Sequence, residues 1–177
     1  MIKEKIIKQM LRVNHAGEYG AFCIYNSQLK YFKNDPEYRD IIDSMKKHEE
    51  EHLKFFAEKL LQYNISPTIM IPLWDIFSRL LGFTTARLGK KAAMLCTVAV
   101  EEVIEEHYKS QLDMLNKFEY DSEIEPLKDA INKFREEELE HHKIGIENNA
   151  LDCNYKTTLT IMIKTFCRIA IFISKHV

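Results

Sequence analysis

The chain has 177 residues and a formal net charge of −2, from 25 basic and 27 acidic residues. Nucleic-acid binding calls for a basic face or stripe, which this balance does not provide, so no nucleic-acid partner is expected. With only 5 Gly and 4 Pro, the composition favours long helices, and the length suits one compact domain with its own core.

The four cysteines lie far apart and form no Cys-x-x-Cys pair, which argues against a zinc knuckle or a rubredoxin-type iron site. They indicate reduced thiols in a cytosolic or matrix-like compartment. The first residues contain no apolar signal core, so no export or transit peptide is expected. No run of about 18 uncharged apolar residues occurs, so no membrane-spanning helix is expected either.

The first predicted helix covers about residues 3–33, and a loosening at residues 14–17 is left open. Glu18 lies in the middle of its apolar stripe. No Lys or Arg stands three or four positions from Glu18. Because a buried carboxylate without a partner is costly, the pattern indicates that some other cation is needed.

The second predicted helix begins at Asp35-Pro36, where proline suits the first helical position, and ends near residue 63. It carries Glu49 and His52, which share one helix face because they are three positions apart. A single Glu-x-x-His in a Glu-rich chain is usually a solvated charged face. One copy alone therefore does not establish a metal site.

Residues 67–88 are rich in apolar side chains and include Trp74, Arg79 and Arg87. Two interpretations remain open from the pattern. The segment packs on the core, or it lies on a membrane with Trp74 at the level of the lipid headgroups and the arginines facing phosphates.

The third predicted helix, about residues 89–118, runs through an apolar stretch into Glu101-Glu102. The fourth, about residues 125–149, carries a second Glu-x-x-His at Glu138 and His141. The last helix, about residues 155–176, has a wide apolar face and a cationic face and is too charged to span. That pattern is typical of an interfacial anchor, although a helix docked on the bundle fits it nearly as well.

An internal repeat links the two Glu-x-x-His motifs. Tyr25-x-Ser27-Gln28-Leu29 begins seven positions after Glu18, and Tyr108-x-Ser110-Gln111-Leu112 begins seven positions after Glu101. The halves at about 3–63 and 89–149 are therefore interpreted as two copies of one helix hairpin. The register selects Glu101 over its neighbour, because adjacent helical residues point about 100° apart.

Two hairpins related by a pseudo-twofold axis predict an all-α, ferritin-like four-helix bundle, with additional membrane-associating segments at 67–88 and 155–176. Its predicted metal ligands are Glu18, Glu49, His52, Glu101, Glu138 and His141. Four carboxylates and two imidazoles suit a pair of Fe or Mn ions, whereas zinc prefers fewer ligands and often thiolate.

Several stretches resemble the demethoxyubiquinone hydroxylase family of ubiquinone biosynthesis: residues 11–21, 67–68 with 72–74, 96–102 and 134–142. The resemblance covers nearly the whole chain in order. It implies a di-iron centre on the same six ligands and O2-dependent hydroxylation of the ring of a polyprenyl quinone. It also implies peripheral attachment to a membrane surface, on the cytoplasmic face of a bacterial inner membrane or the matrix face of a mitochondrial one.

By the same resemblance, His107 and Tyr108 lie near the site and take part in substrate oxidation or electron transfer, although Tyr108 could equally serve only to pack and hydrogen-bond. Glu105 departs from the family pattern and could crowd or supplement the site. No Gly-rich dinucleotide loop is present, so two electrons must come from outside. NADH, a reductase or other ubiquinone-biosynthesis protein, and the quinol itself remain open as donors, as does a homo-oligomer.

Two rival functions remain. A ferritin- or rubrerythrin-like iron oxidase or peroxidase would act without an organic substrate. The apolar segments fit a soluble shell poorly, and the iron module of a rubrerythrin would need a Cys-x-x-Cys pair. A purely structural, membrane-associated helical protein would leave the repeated acids unexplained.

Overall fold

The computed structural model describes residues 2–118, 121–122 and 124–177. Over these residues the fold is all α, with no strand. The elements are α1 (Ile2–Tyr31), α2 (Pro36–Gln62), α3 (Ile71–Arg87), α4 (Lys90–Leu115), α5 (Glu125–Glu147), a short 3-10 turn (Ala150–Asp152) and α6 (Lys156–His176).

The two predicted hairpins correspond to α1–α2 and α4–α5, whose members pack along each other. Asp35 caps α2 by accepting a hydrogen bond from the Tyr38 amide at 3.3 Å, and Pro36 begins the helix as expected. Asn64 and Asn149, just beyond α2 and α5, adopt positive φ angles of 52° and 63°, which asparagine tolerates better than most residues. Over residues 14–17 α1 continues without a break, so no loosening occurs there.

Two apolar clusters fill the two ends of the bundle. One contains Tyr25, Met45 and Met94, and the other contains Leu11, Phe56 and Tyr108. On α2, Met45 belongs to the first cluster and Phe56 to the second, so Glu49 and His52 lie between them. The core therefore holds a polar layer between two apolar layers.

Helix α3 packs closely against α1 at Gly82. A Cβ atom on Gly82 would overlap the backbone of Ile24, so a larger residue could be placed there only by separating the two helices. This close approach fixes α3 as part of the bundle's outer layer, which supports the core-packing interpretation of residues 67–88.

Trp74 itself is buried rather than at the level of the lipid headgroups, which corrects the predicted position of this side chain. Its indole N–H donates to Ser174 Oγ at 2.9 Å, and its ring meets Phe166 edge-on. These contacts join α3 to α6. Arg79 pairs with Asp75 at 2.8 Å within α3, so its charge is already neutralised by the chain.

Helix α6 lies against α4 and α1. Its cationic face meets acids of α4: Lys164 pairs with Glu102, and Arg168 with Glu106 at 3.1 Å. The opposite side is apolar and exposed. Within the described chain, α6 is the one helix whose length and composition would allow it to cross a membrane, contrary to the expectation that it is too charged.

Candidate metal centre

The six predicted ligands converge in the polar layer of the bundle, and each is at most 1% exposed. They form two overlapping sets in which one donor atom per residue lies within 4.8 Å of the others. The first set is Glu18, Glu49, His52 and Glu138, and the second is Glu49, Glu101, Glu138 and His141. Each set has one Glu and one His of its own, and both share Glu49 and Glu138. That is the arrangement expected for two metals bridged by carboxylates.

Two tyrosines hold the unshared carboxylates. The Tyr108 hydroxyl of α4 donates to Glu18 of α1, and the Tyr25 hydroxyl of α1 donates to Glu101 of α4. Burial, together with the neighbouring carboxylates, raises the pKa of both tyrosines well above the ordinary value. Both hydroxyls therefore keep their hydrogen and remain donors. Each tyrosine serves the glutamate of the other hairpin.

His107, adjacent to Tyr108 in α4, contacts residues outside the two donor sets. Its Nε2 lies 2.7 Å from Gln111 Nε2, and Gln111 in turn exchanges two hydrogen bonds with Asn14, at 2.9 and 2.7 Å. Burial, with a contribution from Lys175, lowers the pKa of His107 to about 4. His107 belongs to neither donor set, and its role in catalysis stays a prediction.

The protonation of the cluster reflects four carboxylates enclosed with two imidazoles. Burial and the facing Glu138 carboxylate raise the pKa of Glu49 and of Glu101 well above the ordinary value. Burial alone would lower the pKa of His52, but hydrogen bonds to Glu138 and Glu18 raise it to about 12. Burial alone would raise the pKa of Glu138, but His141 and His52 lower it to about 2. Glu49 and Glu101 therefore hold protons in the metal-free cluster, and bound cations would take the place of those protons.

Orphaned oxygens test whether a metal fits. Oε2 of Glu49 and Oε2 of Glu101 are buried and accept no hydrogen bond from the described residues, while Oε1 of Glu49 lies 3.1 Å from His141 Nδ1, itself a candidate ligand atom. Such atoms are costly unless something coordinates them. The sets contain only oxygen and nitrogen donors, which suit iron or manganese. The residues therefore fit a pair of such ions.

Glu105 lies outside both donor sets. It accepts a hydrogen bond from Arg135 Nε at 2.7 Å and faces an acidic surface cavity. About 710 Å³ of empty space, part of it open solvent, lies there between Glu101, Glu102, Glu105, Glu106, Leu139, His142 and Lys164. Glu105 therefore neither crowds nor supplements the cluster directly.

Two residues beside the ligands were missed by the sequence analysis. Glu137 Oε2 lies 2.8 Å from His52 Nε2, and His48 Nδ1 lies 3.0 Å from His141 Nε2. Each immediately precedes a predicted ligand glutamate, so on its own helix it points about 100° away from the cluster. Their matching positions in the repeat were the one feature of the sequence that could have drawn attention to them. Only the packing of α2 beside α5 shows which residues they contact.

A mostly apolar cavity opens between α1, α3, α4 and α6, with about 570 Å³ of empty space, part of it open solvent. Ala21, Ile24 and Val100 line it and also line a narrower space of about 160 Å³ that reaches Tyr25, Thr97 and Glu101. The inner space does not admit a water molecule. The cavity thus points toward the cluster but is closed by side chains.

Comparison with known proteins identifies the family to which this chain belongs. The family model described as "Ubiquinone biosynthesis protein COQ7" matches residues 5–174. A human protein named "NADPH-dependent 3-demethoxyubiquinone 3-hydroxylase, mitochondrial" is 40% identical over 99% of this chain and 80% of its own length. The "3-demethoxyubiquinol 3-hydroxylase" of Rhodospirillum rubrum is 41% identical over 97% of this chain and 79% of its own length. A Saccharomyces cerevisiae protein named "5-demethoxyubiquinone hydroxylase, mitochondrial" is 33% identical over 97% of this chain and 78% of its own length. The chain therefore belongs to the COQ7 family of ubiquinone biosynthesis proteins.

Proposed function

We propose that the chain is a di-iron, O2-dependent monooxygenase that hydroxylates the ring of a demethoxyubiquinone-type polyprenyl quinone. The observation that carries this proposal is the pair of overlapping donor sets that share Glu49 and Glu138. The names of the human, bacterial and yeast relatives supply the substrate class.

When bound, the iron pair would supply the activation of O2. The reaction converts a ring C–H into C–OH and consumes O2, two electrons and two protons, releasing water. The electrons come from an external donor; the human relative is named NADPH-dependent, and NADH or a reductase partner fits the same chemistry. In this chain Glu18 and Glu101 would each bind one metal, and Tyr108 and Tyr25 fix their carboxylates by hydrogen bonds.

The apolar cavity is the proposed substrate site. Its apolar lining would exclude water, and its inner end leads to Glu101 past Ile24 and Val100. Because the inner space is closed in this conformation, these two side chains must rotate for a ring to approach the metals. The polyprenyl tail would leave through the outer opening, between α3 and α6.

The exposed apolar side chains of α3, of α6 and of Ile69 just before α3 form a surface that we call the apolar face. Its members are Ile69, Ile76, Leu80, Phe83, Ile161, Met162, Ile169 and Phe172. Phe77 of α3 and Phe166 of α6 pack together, which makes the face continuous. We propose that this face lies on a membrane, on the cytoplasmic side of a bacterial inner membrane or the matrix side of a mitochondrial one. The contacts of α6 with the bundle favour attachment over spanning.

Glu138→Gln tests the metal centre, because this residue belongs to both donor sets. Purified apoprotein is loaded with ferrous iron without oxygen, and bound iron and hydroxylated product are measured with a demethoxyquinone substrate under reducing conditions. We expect two irons and product from the wild type, and loss of both from the variant. Glu140→Gln, an exposed change on the same helix, is the matched control. Product formation by Glu138→Gln would place the site elsewhere.

The same preparation distinguishes the iron-oxidase alternative. A quinone hydroxylase couples O2 uptake to the quinone, whereas a ferritin-like oxidase consumes O2 with ferrous iron alone. Equal O2 uptake with and without quinone, together with assembly into soluble shells, would refute the hydroxylase proposal.

Ile24→Phe tests the substrate path, because Ile24 lines both the outer cavity and the inner space. We expect roughly a 10-fold or greater fall in kcat/KM with bound iron unchanged, since small changes of volume in an apolar pocket discriminate by such factors. Ile24→Val is the control and should stay close to wild type. Unchanged kcat/KM in Ile24→Phe would exclude this route.

Ile76→Glu tests the apolar face, because Ile76 is 62% exposed on α3. Flotation with liposomes should fall in this variant and persist in Leu61→Glu, which places the same charge at an 81% exposed leucine of α2. Equal flotation of the wild type, Ile76→Glu and Leu61→Glu would show that this face is not the attachment surface.

A further inference from the structure

Both histidines of the donor sets have an outward-facing nitrogen with its own partner. His52 Nδ1 faces the cluster, 3.3 Å from Glu18 and 3.2 Å from Glu138, while its Nε2 lies 2.8 Å from Glu137 Oε2. His141 Nδ1 likewise faces Glu138 at 3.0 Å. Each ring is therefore oriented so that Nδ1 can bind a metal while Nε2 contacts a second residue.

The two outer partners occupy equivalent positions of the repeat. His48 immediately precedes Glu49, and Glu137 immediately precedes Glu138. Each serves the histidine of the opposite hairpin, since Glu137 of α5 contacts His52 of α2 and His48 of α2 contacts His141 of α5. The rest of the donor arrangement follows the pseudo-twofold relation, but these positions carry an acid in one half and an imidazole in the other.

This difference has a chemical consequence for the ligands. A neutral histidine that gives Nδ1 to a metal keeps its hydrogen on Nε2 and donates it outward. A carboxylate acceptor raises the basicity of the ligand ring more than a neutral imidazole does. Glu137 is also held in place by Lys133, at 3.3 Å from its other oxygen. His52 is thus the better-supported metal ligand of the two.

We propose that Glu137 and His48 are unequal positioning residues, and that the ion held by Glu18 and His52 binds first and more tightly than the ion held by Glu101 and His141. The inference rests on the dinuclear centre of the proposed function. It adds an order of metal loading and identifies the two residues that set this order. Neither residue belongs to the donor sets themselves.

Stepwise titration of apoprotein with Co²⁺ in the absence of oxygen, followed by the visible ligand-field absorption, measures the two steps. Wild type should bind two ions in two resolved steps. Glu137→Gln keeps a hydrogen-bond acceptor but removes its charge, and should weaken the tighter step by about 10- to 100-fold, the usual effect of losing an outer partner. Glu136→Gln, an exposed change next to it on α5, should leave both steps unchanged.

His48→Glu tests the proposal by an expected gain in metal affinity. It gives His141 a carboxylate partner, so the weaker step should tighten and the two steps should move together. Circular dichroism before titration confirms that each variant is folded.

The outcomes separate the two proposals. Fewer than two ions in wild type would refute the dinuclear centre itself. Two ions in a single unresolved step, an unchanged tight step in Glu137→Gln, or an unchanged weak step in His48→Glu would overturn the unequal roles while leaving the centre intact.

Discussion

Glu49→Gln should stabilise the metal-free protein while removing its capacity to hold two metals. Glu49 is fully buried; its Oε2 accepts no hydrogen bond from the described residues, and its Oε1 lies 3.1 Å from His141 Nδ1. A buried, unsatisfied polar group costs about 1–3 kcal/mol. Glutamine fills nearly the same volume, carries no charge and can donate its amide hydrogens to neighbouring carboxylates. The free energy of unfolding of the apoprotein should therefore rise by about 1–3 kcal/mol.

The gain should depend on pH with a definite sign. Burial and the facing Glu138 and Glu18 carboxylates raise the pKa of Glu49 in the folded protein. A group of this kind contributes stability that is fully present below its unfolded pKa and is lost as pH rises through the folded pKa. Glutamine does not titrate. The advantage of the variant should thus be small near pH 5 and grow as pH increases.

Thermal unfolding measured by circular dichroism with a chelator checks this prediction. For a chain of this size each kcal/mol shifts Tm by roughly 2–4 °C, so the variant should melt about 2–12 °C higher at pH 8. Added Mn²⁺ should raise the Tm of wild type more than that of the variant, because only wild type keeps both shared carboxylates. An apo variant that melts below wild type at pH 8 would show that Glu49 is satisfied without a metal, and the electrostatic argument would be wrong.

Three other predictions concern the bundle and its cluster. Gly82→Ala should lower the free energy of unfolding by about 1–3 kcal/mol, because the new Cβ would overlap the backbone of Ile24. Gly17→Ala in α1 should instead raise it by about 0.5–1 kcal/mol, because no neighbouring atom lies within 4 Å of a Cβ at that position. Urea unfolding measures both free energies. Ser174→Ala leaves the buried indole N–H of Trp74 without its acceptor and should cost about 1–3 kcal/mol in the same assay. Metal binding should release protons, because the buried glutamates with raised pKa must ionise to coordinate; calorimetry of Mn²⁺ binding in buffers of different ionisation enthalpy should show this release, and Mn²⁺ affinity should rise with pH.

The all-α fold followed from the sequence because the informative signals were local or repeated. Helix lengths followed from apolar periodicity and from Pro36, and the repeat fixed which of Glu101 and Glu102 faces inward. The convergence of the six donors then followed from the pairing of two hairpins. None of these predictions depended on knowing which side chains of another helix a residue contacts.

The features that the sequence did not predict depend on contacts between side chains of different helices. Trp74 was assigned to a membrane surface in one interpretation, because an exposed tryptophan and one bonded to Ser174 have the same sequence pattern. The apolar and cationic faces of α6 suggested an interfacial anchor, but its cationic residues Lys164 and Arg168 meet Glu102 and Glu106 of the bundle. His48 and Glu137 were overlooked because they point away from their own helix's ligand face. Contacts between helices distant in sequence decide each of these cases.

The crossed contacts of the tyrosines and outer partners also show what one hairpin lacks when it stands alone. One hairpin supplies a single unshared glutamate, a single Glu-x-x-His and a single tyrosine, so it completes neither donor set by itself. Two identical hairpins associating about a twofold axis would complete both sets at once. A hairpin that pairs with a second copy of itself would thus hold two metals, and joining two copies in one chain allows positions 48 and 137 to carry different residues, histidine in one half and glutamate in the other.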